Sequence, residues 1–395
     1  MRKHKPDVLI AVLTVILVGV GLLVIYAIGP MRANFMNSAY GTEYSENYFF
    51  VHQLISVVVA VVALVVAYKV PMKWVRKSGK WVLLAGFVAC GVLAVAGWVG
   101  AGLANCSLGA CRWFDLGGIG FQPAELVKLG IILYFAGLLA ARRKAGTLNE
   151  RDVFIPIGVV LAVALGFVAI IQKDLGTAAV IMAIVFAMLI ASGMKWKLIG
   201  AFAGVLLVLG GLLIVTSPHR MARMATFGGE GDSHHIDNAL LAIGTGGMFG
   251  VGIGNSVQAT GYLPESINDS VFAVMGETFG FVGLILVMGC FAGLLMRMLA
   301  VADRLEGDGK LMVVGVFAWV GSHVIINVAA MTGLIPLTGI TLPLLSYGGT
   351  SMAFIATSIG LVLQLSAYTS REIRNENSSG RGRVGRSYHA GNRGN

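Results

Sequence analysis

The sequence predicts an all-α polytopic membrane protein of ten transmembrane helices, with a long extracytoplasmic loop between the seventh and the eighth. Three observations predict it. Of 395 residues, 57% are hydrophobic and 12% charged, about half the charged share of an ordinary soluble domain. Apolar runs long enough to cross a bilayer, about 20 residues each, recur along the chain. Lysine and arginine sort to one side of those runs. The 54 glycines suit closely packed membrane helices. Together these features exclude a water-soluble enzyme, a nucleic-acid-binding module and a disordered protein, and four cysteines are too few for a disulfide scaffold.

Uncharged runs of spanning length occupy Val8–Gly29, Val51–Tyr68, Trp81–Ala104, Val153–Gln172, Leu175–Met194 and Leu198–Ser217. Phe121–Ala141 and Ser270–Met296 are as long but carry isolated charges. Leu311–Ser370 has no Asp, Glu, Lys or Arg in 60 residues, and Pro336 and Pro343 divide it into two spans. With the N-terminus inside, 23 of the 29 Lys and Arg fall on the inner side, the bias of cytoplasmic loops. The net charge of +10 is therefore a topology signal, and no nucleic acid is implied. The expected location is the cytoplasmic (inner) membrane of a bacterium, with both termini cytoplasmic. The first run is too long for the core of a cleaved signal peptide. Asn238–Pro264 is 27 uncharged residues with seven glycines; it is expected to be re-entrant or interfacial, tolerated only where it packs on protein. Residues 1–370 then form one transmembrane domain with an outer loop at 218–269. Residues 371–395 form a basic, disordered cytoplasmic tail drawn to membrane lipids.

Charges inside spans are costly and mark candidate functional positions. Arg112-Trp113 precedes Gln122-Pro123-Ala124-Glu125-Leu126-Val127-Lys128, where Glu125 and Lys128 share a helix face as an i,i+3 pair. That pair is either a structural ion pair, or Lys128 joins Arg112 in holding an anion. Trp113 suits an interface anchor. Lys173 is one of few cations on the outer side, and Asp174 is placed to cap the next helix. The outer loop ends Leu263-Pro264-Glu265-Ser266-Ile267-Asn268-Asp269. Pro264 is expected to open the eighth span, with Glu265 and Asp269 one turn apart, partly desolvated and suited to accepting a proton. Glu277 lies deeper, facing a cation or a polar helix neighbour. Cys106 and Cys111 share an outward loop and are candidates for a disulfide. His234-His235 is expected to be solvated, and His323 and Asn327 to hydrogen-bond between helices.

The Arg112-Trp113 and Gln122 to Lys128 motifs, with Asp174-Leu175-Gly176-Thr177, resemble the SEDS family of bacterial cell-wall polymerases (FtsW, RodA, SpoVE). So do Gly252-Ile253-Gly254-Asn255-Ser256, Leu263-Pro264-Glu265 through Asp269, Gly333-Leu334-Ile335-Pro336-Leu337-Thr338-Gly339, and Leu342-Pro343-Leu344-Leu345-Ser346-Tyr347-Gly348-Gly349-Thr350-Ser351. The resemblance spans about residues 8–370, and Gly254-Asn255-Ser256 is closer to the division branch, FtsW, than to the elongation branch. It implies a peptidoglycan glycosyltransferase joining lipid II units at the outer membrane face, for septal synthesis in cell division; the alternatives are a lipid II flippase, an elongation polymerase or a non-catalytic scaffold.

The family's loop aspartate maps onto Asp269, implied as general base. Arg112, Lys128, Lys173, Arg220 and Arg223 are the cations available to steady a departing pyrophosphate, with Glu265 beside the base and Mg2+ or Mn2+ as a candidate helper. Trp113, Gln122, Glu125, Asp174, Glu277 and Ser346 are supporting positions. The implied partners are a class B penicillin-binding protein transpeptidase and other divisome proteins. The sequence departs from the family pattern at Lys173 (usually proline), at Ser270 (usually aromatic), at Thr278 (usually Glu) and at His235-Ile236-Asp237 (often Tyr-Gln).

Overall fold

The computed structural model describes residues 2–100, 102–107, 110–115, 120–148, 151–215, 221 and 234–369. Among these, nine helices are long and apolar enough to cross a membrane, and a shorter apolar stretch, Trp196–Leu212, lies in a tenth. The ten expected spans are thus accounted for. The tail after residue 370 and most of 216–233, including Arg220 and Arg223, lie outside the described residues.

Helix α1 (Val8–Tyr40) starts at Asp7, whose carboxylate caps the Leu9 amide, and ends at left-handed Gly41. It runs on through Pro30, past the Gly29 limit expected from the apolar run. At 1.5 Å per residue it is about 50 Å long, so its last turns extend beyond the hydrocarbon. There the Phe35 ring fills the space beside Gly261. Helices α2 (Tyr48–Lys69) and α3 (Met72–Val99) are joined by Val70 and Pro71. Helix α4 (Pro123–Lys144) crosses α3 with almost no gap: a Cβ on Gly130 would stand 2.6 Å from the Leu83 α-carbon. Helix α5 (Arg151–Leu165) ends in a π-helical segment, Gly166–Ile171, followed by α6 (Leu175–Ser192) and α7 (Trp196–Val215). After the short α8 (His234–Thr245) come α9 (Val271–Asp303), α10 (Gly307–Met331) and α11 (Gly349–Ser366). In their most apolar 18-residue stretches, α4, α6, α10 and α11 are 56–72% buried within the protein, whereas α1, α2, α3, α5 and α9 are 17–33% buried. This is the distribution expected of inner and lipid-facing helices.

Two small sheets qualify the all-helical expectation. Strand β1 (Arg2–Lys3) pairs antiparallel with β5 (Tyr368–Thr369), so both ends of the membrane domain leave from one face, as an even number of spans requires. On the opposite face β2 (Ala104–Ser107), β3 (Ala110–Asp115) and β4 (Gly120–Phe121) form a meander. Cys106 and Cys111 are disulfide-bonded across β2 and β3, and their sulfurs sit over Gly97 of α3. The helical expectation missed these strands because each is too short to show a period-two pattern.

The glycine-rich 246–260 stretch does not form an eleventh span. It folds against a break in α9, where Gly280 has φ 68° and ψ −169°. The break frees backbone groups that the stretch re-satisfies. Val251 and Gly252 donate to the Glu277 and Thr278 carbonyls at 2.9 and 3.1 Å, and Phe281 and Val282 donate to the Gly247 and Met248 carbonyls at 2.9 and 3.1 Å. This is how irregular backbone survives at membrane depth. Gly280 has both the backbone angle that disfavours a side chain and no room for one, since a Cβ would stand 2.6 Å from the Phe249 nitrogen. Gly280→Ala is therefore expected to lower the melting temperature of the detergent-solubilised protein by the equivalent of about 1–3 kcal/mol of strain or more. The control Gly137→Ala, where nothing lies within 4 Å, is expected to be neutral or to stabilise by up to about 1 kcal/mol.

Candidate active site

Asp269 sits in a chain of turns and not in a helix. Helix α9 begins at Val271, and Glu265 adopts φ +49°, which ends any helical run from Pro264. The Glu265 carbonyl accepts from the Asn268 and Ser270 amides at 2.9 and 3.2 Å, and the Asn268 side-chain amide donates to the Glu265 carboxylate. Such local side-chain bonds compete with helix formation, and they account for the departure from the expected start at Pro264. Glu265 is exposed, whereas Asp269 is only 9% exposed. Burial raises the Asp269 carboxyl, and the charge of Glu265 raises it further. Hydrogen bonds from its own backbone amide and from Ser270 offset part of this, leaving it at about 7.

Asp269 is held from three directions. The Asn327 side-chain amide on α10 donates to the Asp269 carbonyl at 2.6 Å and to the Ile340 carbonyl at 2.7 Å. Gly339 faces the carboxyl, where a Cβ would stand 4.0 Å from Oδ2. Ser270 Oγ lies 3.4 Å from Asp269 Oδ1 and donates to the Pro264 carbonyl at 2.8 Å. His235 Nε2 on α8 lies 2.8 Å from that same Ser270 oxygen. The ring is half-buried, contrary to the solvated histidine expected from the sequence. Positions 235 and 270, both departures from the family pattern, thus touch each other beside the aspartate.

Thr338 and Ile340, flanking Gly339, pack on Gly176, and so link Asp269 to the start of α6. Asp174 caps that helix through the Thr177 amide at 2.9 Å and hydroxyl at 2.8 Å. Arg112 reaches the same connection, donating from Nε to the Gln172 carbonyl at 3.0 Å and from Nη2 to the Lys173 carbonyl at 2.9 Å. The Lys173 side chain is exposed. Trp113 lies across Gly120, and the Gln122 carbonyl begins α4 by accepting from the Glu125 amide at 3.1 Å. Among the described residues no ion pair joins Asp269 to a cation, and no three His, Cys, Asp or Glu side chains converge as a metal site.

Lys128 is fully buried. Its ammonium donates to Glu125 Oε1 at 2.8 Å, lies 3.1 Å from His323 Nε2 and stands 4.9 Å from the centre of the Trp319 ring. His323 Nδ1 faces the Thr341 carbonyl at 3.2 Å, so the proton belongs on Nδ1 and Nε2 accepts from the lysine. Glu277 holds the glycine-rich stretch: its carboxylate accepts from Ser256 Oγ at 2.5 Å and from the Val257 and Gln258 amides at 2.9 and 3.2 Å. Its partners are therefore backbone and hydroxyl groups. Ser346 closes the 342–346 turn, its hydroxyl accepting from the Leu342 amide at 2.8 Å.

The FtsW, RodA and SpoVE family model, described as cell cycle protein, matches residues 7–371. The chain is 34% identical over 340 residues to the probable peptidoglycan glycosyltransferase FtsW of Halomonas elongata, covering 83% of this chain and 84% of that one. It is 30% identical over 376 residues to the stage V sporulation protein E of Bacillus subtilis, covering 93% and 99%. In fold it is similar to the crystal structure of the rod shape determining protein RodA of Thermus thermophilus, with a TM-score of 0.67 and 23% identity over 93% and 98% of the two chains. A chain of a peptidoglycan synthase complex aligns with a TM-score of 0.71 and 24% identity, over 91% and 97%. With a match running through the broken helix, the aspartate turn and the membrane core alike, this chain belongs to the FtsW/RodA/SpoVE (SEDS) family.

Proposed function

We propose that this chain is a peptidoglycan glycosyltransferase that polymerises lipid II into glycan strands at the outer face of the cytoplasmic membrane, for septal synthesis during cell division. The observation that carries the reading is a buried carboxyl, Asp269, raised to about 7 in a turn rigidly held between α8, α10 and the 332–348 loop. A base with that value accepts a proton at neutral pH, where an ordinary aspartate is a weaker one. In the proposed step Asp269 takes the hydrogen of the acceptor's sugar hydroxyl. The oxygen attacks the anomeric carbon of the donor with inversion, and the lipid pyrophosphate departs.

The leaving group requires positive charge. Lys173, the remaining donors of Arg112, and Arg220 and Arg223 on the same loop are the groups assigned to it, with Glu265 close to the acceptor. Lys128 is assigned a different role: its buried ammonium is engaged by Glu125 and His323 and braces the core beneath the site. The distribution of Lys and Arg supports placing Asp269 outside and both termini in the cytoplasm. The similarity to a chain of a peptidoglycan synthase complex that coordinates polymerization and crosslinking supports pairing with a class B penicillin-binding protein.

The test is reconstitution in proteoliposomes with labelled lipid II, reading polymer length by electrophoresis. Long glycan supports the proposal, whereas headgroup translocation without polymer supports a flippase in its place. The rate should also follow the deprotonated fraction of Asp269. It is expected to climb about tenfold per pH unit below 6 and to level off above about 7.5. A rate constant between pH 5 and 8 removes Asp269 as the base.

A further inference from the structure

We propose that His235, acting through the Ser270 hydroxyl, carries away the proton that Asp269 collects in each turnover. The proposal rests on the reading of Asp269 as general base. The three groups form a line: Asp269 Oδ1, Ser270 Oγ at 3.4 Å, then His235 Nε2 at 2.8 Å from that oxygen. Ser270 is fully buried and His235 half-buried. The line therefore runs from a mostly buried carboxyl to an imidazole at the edge of the site. A base in such a position has a difficulty that an exposed one lacks. Once protonated it holds its proton firmly, because burial favours the neutral form, and the next sugar hydroxyl finds no acceptor until that proton leaves. Histidine is the side chain that exchanges protons readily near neutral pH.

The step balances. Asp269 releases its proton to Ser270 Oγ while the serine hydroxyl hydrogen moves to His235 Nε2. No net charge remains on the serine, and the imidazolium returns one proton to water. The transfer uses the tautomer with the hydrogen on His235 Nδ1 and the Ser270 hydroxyl turned to the free Nε2; in the other tautomer Nε2–H donates to Ser270 Oγ and the hydroxyl rests on the Pro264 carbonyl at 2.8 Å. The 3.4 Å separation from Asp269 is of the kind that shortens when substrate is bound. The other titratable groups around the line are Glu265 in the same turn, and His234 and Asp237 beside His235 on α8. Helix α10 presents the uncharged amide of Asn327, and the 332–348 loop contains no Asp, Glu, Lys or Arg.

The test uses the full chain in proteoliposomes with its cognate transpeptidase and fluorescent lipid II, between pH 5.5 and 8.5. His235→Ala, His235→Gln and Ser270→Ala are compared with Asp269→Ala. The relay predicts that kcat falls about tenfold or more in all three, with KM for lipid II little changed. His235→Gln keeps a hydrogen bond to Ser270 but carries no proton, so a purely structural role would be rescued by it and the relay would not. Added imidazole is expected to restore His235→Ala, and this readout stands even where alanine lowers the melting temperature. Wild-type turnover in His235→Ala across the pH range, or full recovery by glutamine, overturns the relay. Polymer formation by Asp269→Ala overturns the parent reading; an inactive Asp269→Ala beside a normal His235→Ala removes the relay alone.

Discussion

Asp269→Asn and Asp269→Ala are expected to form no measurable glycan from lipid II, while Asp269→Asn melts at a higher temperature than the unsubstituted protein at pH 8. The first effect follows from chemistry, since removing a positioned general base costs about 10²–10⁴-fold and the amide cannot accept the proton. The second follows from the energetic cost of the site. The Asp269 carboxyl is raised from 3.8 to about 7, so the folded chain binds this proton more tightly than the unfolded chain does. Stability therefore falls as pH rises from about 4 to about 7, and the full penalty, roughly 4 kcal/mol, is present above 7. Asparagine keeps the shape and the Asn327 contact to the backbone carbonyl, and it has no charge to bury. Its advantage in melting temperature should be large at pH 8 and vanish near pH 4. An Asp269→Asn protein less stable at pH 8 than at pH 4, relative to the parent, would show that the carboxylate is well solvated and not the poised base argued above.

The membrane architecture was legible because it follows from composition at the scale of 20 residues, and the bilayer leaves few alternatives to helices. What single segments do at the membrane edge was less so. The end of the apolar run marked a stop at Gly29, yet α1 continues through Pro30 to Tyr40 because beyond the hydrocarbon a helix needs only a partner, and Gly261 offers Phe35 one. The carboxylate pair at the outer boundary was legible as residues but not as geometry. A positive φ at Glu265 and the Asn268 side-chain bond replace the expected helical turn, and neither leaves a period in the sequence. The same limit hid His235. An isolated histidine pair carries no ligand spacing, and its nearness to Ser270 arises from packing α8 against the start of α9, 35 residues away. Asn327 was legible as a polar residue inside a span, but its acceptors, the carbonyls of Asp269 and Ile340, are backbone atoms that any residue type would supply.

Lys128→Ala is expected to be the most destabilising of the site substitutions, lowering stability by about 3–5 kcal/mol. It would leave the Glu125 carboxylate buried without its counter-charge and His323 Nε2 without its donor. It would also remove the cation over the Trp319 face. Paired removal should behave differently. Replacing both charges with apolar side chains of similar volume, Glu125→Leu with Lys128→Met, takes away two desolvation costs along with the attraction. Such replacements are commonly neutral or stabilising. The melting temperature of the double variant is therefore expected near that of the parent, and well above either single one, a coupling that a thermodynamic cycle measures directly. The cycle also decides between the two roles open to Lys128. If the lysine braces the core, so that His323 and Asn327 hold the 340–341 backbone and Asp269 in register, glycan synthesis should return with stability in the double variant. If it instead neutralises the departing pyrophosphate, the double variant folds as well as the parent and still makes no polymer. A fully buried ammonium already engaged by a carboxylate and an imidazole has little left to offer a ligand, and on that ground recovery of both is the expected result.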